Sequence, residues 1–307
     1  MSQSILVALD GSQESLFAAD IAASLAKRKQ AGITGMTVVD TQALWEIAGQ
    51  DLPGIIGSGP YIVAYQLIES SLRSVAETLM VAFESRVADH CISTQALVDE
   101  GDIVEHILKR AEHHGIVVMG HKSRSRRHTI HKRRYFHSSI CQLVADSCPV
   151  PLLIVQGPAK LWDRSTLLLS AETYNSATMK AFVDFALSSG VQAQIVCTGR
   201  SKTIDEMIKV VQADIDRIMP NAPITLVGKR LYELEKFFSS VRAGDGETLF
   251  VLTTCDTEQG RKVCTGESLD YVIRDVARAY TLFLPPTAAA QTSMGGRDSK
   301  VEATISG

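Results

Sequence analysis

The run ILVAL at Ile5 to Leu9, stopped by Asp10-Gly11-Ser12, and the run IVVM at Ile116 to Met119, stopped by Gly120, constrain this chain more than any other feature. A segment that is apolar at successive positions has no polar face to turn to water. It fits a strand covered on both sides, as in a parallel sheet layered between helices. Parallel strands need long crossover connections, so such runs should alternate with helices.

The first half shows that alternation. Glu14 to Gln30 carries a helical apolar pattern that ends near Gly32, with Ser12 placed as its N-cap. Ile33 to Val39 is a second strand, stopped at Asp40, and the aperiodic stretch 41–60 reads as a loop over the carboxyl edge of the sheet. From Tyr61 to Ala88, the spacing of Ile68, Leu72, Val75, Leu79, Phe83 and Val87 predicts a long helix whose apolar face is buried on the sheet. Thr94 to Val98 is a third strand, and Asp102 with Glu105 has the form of a capping box that opens a helix over Ile103 to His114. Strand four is Ile116 to Met119, a helix begins near Ser138, and Leu152 to Val155 is strand five. The expected architecture is an α/β fold with an open parallel five-stranded sheet, helices on both faces, and Asp10 and Gly120 facing one another across the point where the strand order reverses.

After Gln156 to Arg164, which reads as a linker, the pattern starts again. Strands are expected at Leu167–Ser170, Ala193–Cys197, Ile224–Val227, Leu249–Leu252 and Thr281–Leu284, with helices at Ala177–Ser188, Ile204–Met219, Leu231–Val241 and Leu269–Ala279. Two tandem copies of one fold are therefore expected, over 1–157 and 158–286, with a disordered tail over 287–307. In register, Glu172 lies over Asp10 and Thr173 over Gly11. The stretch Thr253 to Ser268 lies over the turn that follows Gly120 and offers Gly260 and Gly266, but it sets Asp256, Glu258 and Glu267 where an anion would come. Carboxylates repel a polyphosphate, so the second copy reads as structural.

Between His121 and His137 the chain places Lys122, Arg124, Arg126, Arg127, Lys132, Arg133 and Arg134 at the turn after strand four. A helix start already favours anions through its unpaired N–H groups and dipole, and guanidinium forks grip phosphate oxygens in pairs. Lys122, Arg124, Arg126, Arg127, Arg133 and Arg134 are the candidate phosphate clamp. The net charge of the whole chain is only −3, so a cationic function must be local; a general nucleic-acid or membrane-surface binder needs a basic excess. Only Tyr135 and Phe136 in this stretch offer surface for stacking bases, which also argues against nucleic acid. His128 and His131 lack a neighbouring carboxylate or thiolate and read as structural or solvated, so no metal is implied.

The six cysteines form no C-x-x-C pair and read as reduced thiols. The N-terminus lacks the pattern of a signal peptide, no apolar run is long enough to cross a membrane, and a cytoplasmic protein is expected. No nucleophile paired with a base emerges, since Ser12 is placed as a helix cap. The chain is expected not to be an enzyme. Slow nucleotide hydrolysis is the catalytic alternative, and it would need a Mg²⁺ ligand and a water-positioning residue.

The stretches ILVALDGS (Ile5–Ser12), TVVD (Thr37–Asp40), Glu100-Gly101-Asp102, VVMG (Val117–Gly120) and CPVPLLIV (Cys148–Val155) together resemble the universal stress protein (UspA) family. The resemblance implies association through the final strand and a stress-linked regulatory role. It also implies an adenine nucleotide such as ATP, with the base near Asp10, Gly11 and Val39, and phosphates on a Gly-x2-Gly-x9-Gly-Ser/Thr turn. This chain keeps Gly120 of that turn, has Ser123 at the second glycine, and has His137-Ser138 at the final pair. Residues 124–136 separate them, a longer insert than the pattern holds. Side chains, with Ser123 and Ser138 as hydroxyl donors, are thus expected to replace the backbone cradle. The partner is a phosphorylated small molecule or, in the alternative reading of an interaction module without nucleotide, an acidic protein docked on the 121–137 loop. The final strands of the two copies could form a pseudo-dimer within the chain, and a homodimer remains open.

Overall fold

A computed structural model describes residues 4–42, 44, 59–89, 93–121, 140–157, 162–171, 173–199, 201–230, 233, 248–257, 260–263 and 280–285. The chain divides into two compact units, Met1–Leu161 with Asp270–Leu282, and Trp162–Leu269 with Phe283–Gly307.

In the first unit, strands β1 (Ile5–Ala8), β2 (Ile33–Val39), β3 (Thr94–Glu100), β4 (Ile116–Gly120) and β5 (Leu152–Val155) form a sheet in the order β3-β2-β1-β4-β5. Every described pairing is parallel, with Val7 opposite both Gly35 and Val118. The central strands are covered on both faces, as their sequences require: Leu6, Val7, Val117 and Val118 are fully buried. Helix α1 (Gln13–Lys29) packs against α2 (Gly59–Val87), and α3 (Ile103–Ala111) packs against α4 (Ile140–Ser147).

Glycine sets the spacing of one layer. A Cβ at Gly35 in β2 would lie 2.3–2.8 Å from the ring of Phe83, which is fully buried on α2. The missing side chain is the slot that the ring fills. Ion pairing adds to the same layer, since the Arg86 guanidinium on α2 donates Nη2 to Asp20 on α1 at 2.7 Å and Nε to the other carboxylate oxygen.

The first helix ends with Gln30 as its left-handed cap (φ 49°), at the close of the expected Glu14 to Gln30 span. One sequence expectation is corrected here: the apolar face of α2 is buried only in its second half, through Ala76, Met80, Phe83 and Val87. Ile68, Leu72 and Val75, expected on the sheet, are 49%, 41% and 66% exposed. The reason is length: the helix outruns the strands beneath it. Arg73 is ion-paired with Glu100, the last residue of β3, so everything before Arg73 lies beyond the carboxyl edge.

The second unit repeats the strand order. β6 (Arg164–Ser170), β7 (Gln192–Gly199), β8 (Ile224–Arg230) and β9 (Thr248–Thr257) run β8-β7-β6-β9, third-second-first-fourth as in the first unit, and all three pairings are parallel. Helices α5 (Ser176–Ser189) and α6 (Ser201–Ile218) follow β6 and β7. The stretch Thr253–Ser268 is not the expected turn at its start: β9 continues to Thr257 and pairs antiparallel with β10 (Gly260–Val263), so Asp256 and Gly260 belong to a hairpin. The last strand, β11 (Tyr280–Leu284), stands where the sequence placed it. The expected helices over 231–241 and 269–279 and the tail over 287–307 lie outside the described residues.

Because Gly35 and Phe83 share one volume, their substitutions should not add. Gly35→Ala is expected to cost about 1–3 kcal/mol by overpacking and Phe83→Ala about 3–5 kcal/mol by leaving a cavity. The double variant should lose less than the sum, since the new methyl then enters the vacated space. Urea unfolding of the four proteins tests this, and strict additivity would contradict the contact.

Candidate functional site

The turn after β1 is built by local hydrogen bonds. The Asp10 carboxylate accepts the Ser12 N–H at 2.9 Å, and Gly11 between them has φ 76°, a conformation costly for any residue with a Cβ. Ser12 caps α1 by accepting the Ser15 N–H at 3.2 Å, as the sequence predicts. The Ser15 hydroxyl donates back to the Ser12 carbonyl at 2.8 Å. Asp10 and Gly11 are thereby held exposed at the carboxyl edge of the sheet.

Gly120 closes the other side. It is the last residue of β4, and its role is set by α1: a Cβ there would lie 2.6–2.9 Å from the backbone of Glu14 and Ser15. Its carbonyl accepts the Cys141 thiol at 3.0 Å, which ties the start of α4 to the end of β4. The His121 N–H donates to Val155 at 2.9 Å, so the chain enters the basic stretch still paired with β5.

Between these two strand ends lies a cavity of ≈ 170 Å³. Asp10, Ser15 and Gly120 line one side, Met36, Thr37 and Val38 of β2 another, and Ile103, Ile107, Met119 and Ile140 form an apolar wall, with Ala8 and Leu9 below. This is the crevice outside the carboxyl ends of the strands where their order reverses, between β1 and β4. Its volume is below the roughly 300–1,000 Å³ of pockets that enclose a drug-sized ligand.

The cavity thus gathers Asp10 and Gly120 of the sequence-derived candidates, with Gly11 in the adjoining turn. Val39 is placed differently. Its carbonyl accepts the Gly101 N–H at 3.1 Å and its buried side chain shares the strand parity of Gly35, so Val38 is the residue that faces the cavity. Ser123 and Ser138, and Lys122, Arg124, Arg126, Arg127, Arg133 and Arg134, lie outside the described residues, as do His128 and His131. The lining residues Met36, Met119 and Ile140 carry no sequence signal beyond strand or helix ends, whereas Ile103 and Ile107 share one face of α3 by their spacing of four.

The α3 wall is anchored to β3. Arg110 grips Asp99 with Nε at 3.1 Å and Nη2 at 2.9 Å, and His106 Nδ1 lies 3.4 Å from the same carboxylate. The Arg110 hydrogen bonds hold the Asp99 carboxyl below its usual range, against the opposing effect of burial. Asp102 caps α3 through the N–H groups of Val104 and Glu105 at 2.8 and 3.0 Å.

In the second unit the residues after β6 are tied together by hydroxyls. Thr173, which lies over Gly11 in the sequence register, has no positive φ. Its N–H donates to the Ser170 carbonyl at 3.2 Å, and its Oγ1 meets Thr253 Oγ1 at 2.8 Å and Ser170 Oγ at 3.2 Å. All three side chains are buried. Beside them the Tyr174 hydroxyl donates to buried Asp214, which also pairs with Arg217; burial first, and then Asp214, push the phenol pKa upward.

The universal stress protein family model matches residues 1–156. The chain belongs to the universal stress protein family. Comparison with curated protein sequences finds no match. Among solved structures, a universal stress protein from Archaeoglobus fulgidus DSM 4304 aligns over 94% of this chain and 100% of its own, with a TM-score of 0.63 and 14% identity. A protein of unknown function from Pseudomonas aeruginosa PAO1 aligns over 94% of this chain and 95% of its own, with a TM-score of 0.52 and 13% identity. At such identities the likeness speaks to fold, and it extends through both halves of the chain. Among the described residues, no helix is long and apolar enough to cross a membrane, and no group of side chains is arranged to hold a metal ion.

Two outcomes follow from the geometry. Gly120→Ala should lower stability by about 1–3 kcal/mol because backbone, not a flexible side chain, meets the new methyl. Gly157→Ala, with nothing within 4 Å, is the matched control, and equal unfolding midpoints for the two would contradict the close approach. The Asp99 pairing contributes stability above the unfolded carboxyl pKa and loses it as pH falls through the depressed folded value. Asp99→Asn should therefore cost about 1 kcal/mol at pH 7, given the partial exposure of Arg110, and progressively less as pH falls below the unfolded carboxyl pKa and through the depressed folded one. Denaturation across that pH range checks the sign.

Proposed function

We propose that this protein is a regulatory binding protein, not an enzyme, whose first unit takes an adenine nucleotide. The cavity between the ends of β1 and β4 is the observation that supports the reading. Met36, Val38, Ile103, Ile107, Met119 and Ile140 give it apolar lining, exposed Asp10 also lines it, and in sequence the basic stretch begins directly after His121. The base packs against Val38, Met119, Ile103 and Ile107. Asp10 and the Gly11 turn meet the ribose side. The phosphates leave the cavity toward Lys122, Arg124, Arg126, Arg127, Arg133 and Arg134, with Ser123 and Ser138 as hydroxyl donors.

Two physical considerations favour side-chain capture of the phosphates. The first glycine of the family turn is retained for a packing reason, because α1 leaves no room for a Cβ there. The other glycines are replaced, which removes the backbone approach and leaves guanidinium groups as the donors. The second unit, where Ser170, Thr173 and Thr253 bond to one another, supports the fold and takes no nucleotide in this reading. The place of action is the cytoplasm.

The full-length protein, freed of bound small molecules, should gain several degrees of thermal stability with AMP or ATP at about a hundred times the dissociation constant, equivalent to about 2.7 kcal/mol. Val38→Trp, which fills the cavity from a half-buried position, should remove the response to both. The pair Arg126→Ala and Arg127→Ala should weaken ATP more than AMP. A protein that no purine nucleotide stabilises, or one that responds equally with Trp at position 38, would overturn the proposal. In the first case, binding of an acidic protein to the intact basic loop would favour the interaction-module reading.

A further inference from the structure

Gln156, the residue directly after β5, carries a hydrogen-bond donor that the fold leaves unused. The side chain is half-buried as a whole, but its amide Nε2 is shut off from solvent and meets no acceptor among the described residues. An amide N–H left unpaired away from water costs more than an ordinary hydrogen bond returns, so such a group calls for a partner that the described chain does not supply. The sheet says where that partner stands. Val155 is opposite Gly120, and a Cβ on Gly120 would run into the start of α1, so this pair faces α1. Ile154 and Met119, the pair before it, face the other way, and Met119 lines the cavity. Strand alternation returns Gln156 to that same face, about 7 Å nearer the carboxyl edge than Ile154. Across from it is His121, whose N–H donates to the Val155 carbonyl at 2.9 Å and after which the basic stretch begins.

We infer that Gln156 holds the phosphate nearest the ribose, its Nε2 donating to a phosphate oxygen; this rests on the reading of the cavity as a nucleotide site. The chemistry of the group selects the acceptor. An amide nitrogen donates and does not accept, so it offers nothing to the amine of a base. Phosphate oxygens are the charged acceptors of a nucleotide, and a hydrogen bond to a charged acceptor is about twice as strong as one between neutral groups. Position agrees with chemistry. With the base against Met119, Ile103 and Ile107, a group one strand step beyond Met119 on the same face lies past the base, where the chain passes on to Lys122 and Arg124. A neutral donor suits that place, because a cation with its head buried there would need a permanent counter-charge. The arginines then supply charge to the outer phosphates, and the amide fixes the direction of the first.

Titration calorimetry and thermal unfolding of the full-length, nucleotide-free protein test this with AMP and ATP. Gln156→Met keeps the length of the side chain and removes the donor. It should weaken AMP and ATP by the same factor, about tenfold or more, whereas the paired substitution of Arg126 and Arg127 separates the two nucleotides. Because the donor has no partner in the protein alone, the nucleotide-free variant should unfold at or above the wild-type temperature. Gln156→Glu, acceptor-only and negatively charged, should weaken both nucleotides further than Gln156→Met does. A nucleotide-free Gln156→Met protein that unfolds several degrees below wild type would overturn the inference, since the amide is then bonded within the chain or to a buried water. Unchanged affinities, or a Gln156→Glu protein that binds as well as Gln156→Met, would overturn it and leave the nucleotide reading standing. A wild type that binds neither nucleotide would remove that reading and this inference together.

Discussion

The first turn of α1 rests on the end of β4, and that contact decides the shape of everything above it. Gly120 is the one residue that lets helix backbone approach strand backbone there, at distances a Cβ would forbid. The approach in turn depends on the β1 turn, where Gly11 bends left-handed and Ser12 caps the helix. With α1 drawn in on one face and α3 held on the other by Arg110 and Asp99, the crevice between β1 and β4 is left as a cavity instead of being filled. Architecture and the cavity come from the same few residues.

The two units show what happens when that arrangement changes. They share a strand order, yet the second has Thr173 where the first has Gly11. A threonine does not take the left-handed turn easily, and its hydroxyl instead bonds back to Ser170 and across to Thr253. Three buried hydroxyls that satisfy one another form a stable cluster, since each would be costly to bury unpaired.

Much of the first unit was legible in the sequence because strands buried on both faces leave apolar runs, and caps leave Ser12 and Asp102 at fixed offsets. The legibility fails where a pattern reports a face without reporting what covers it. The stripe through Ile68, Leu72 and Val75 was sound as helix, but periodicity does not encode that the strands end at Glu100. Thr253–Ser268 was misread for a related reason: glycines and acids mark a hairpin and a phosphate turn alike, and pairing of β9 with β10 decides between them. In the site, Val38 lines the cavity while the Val39 side chain is buried, because strand alternation sends neighbouring side chains to opposite faces. The membership of Met36, Met119 and Ile140 depends on packing between elements distant in sequence, which no local pattern carries.

The central claim is that this chain has one nucleotide site, in the first unit, although it holds the fold twice. Titration calorimetry of the nucleotide-free full-length protein with an adenine nucleotide measures this directly through the stoichiometry. The account predicts saturation at one nucleotide per chain. Saturation at two per chain, or no saturable binding at all, would contradict it.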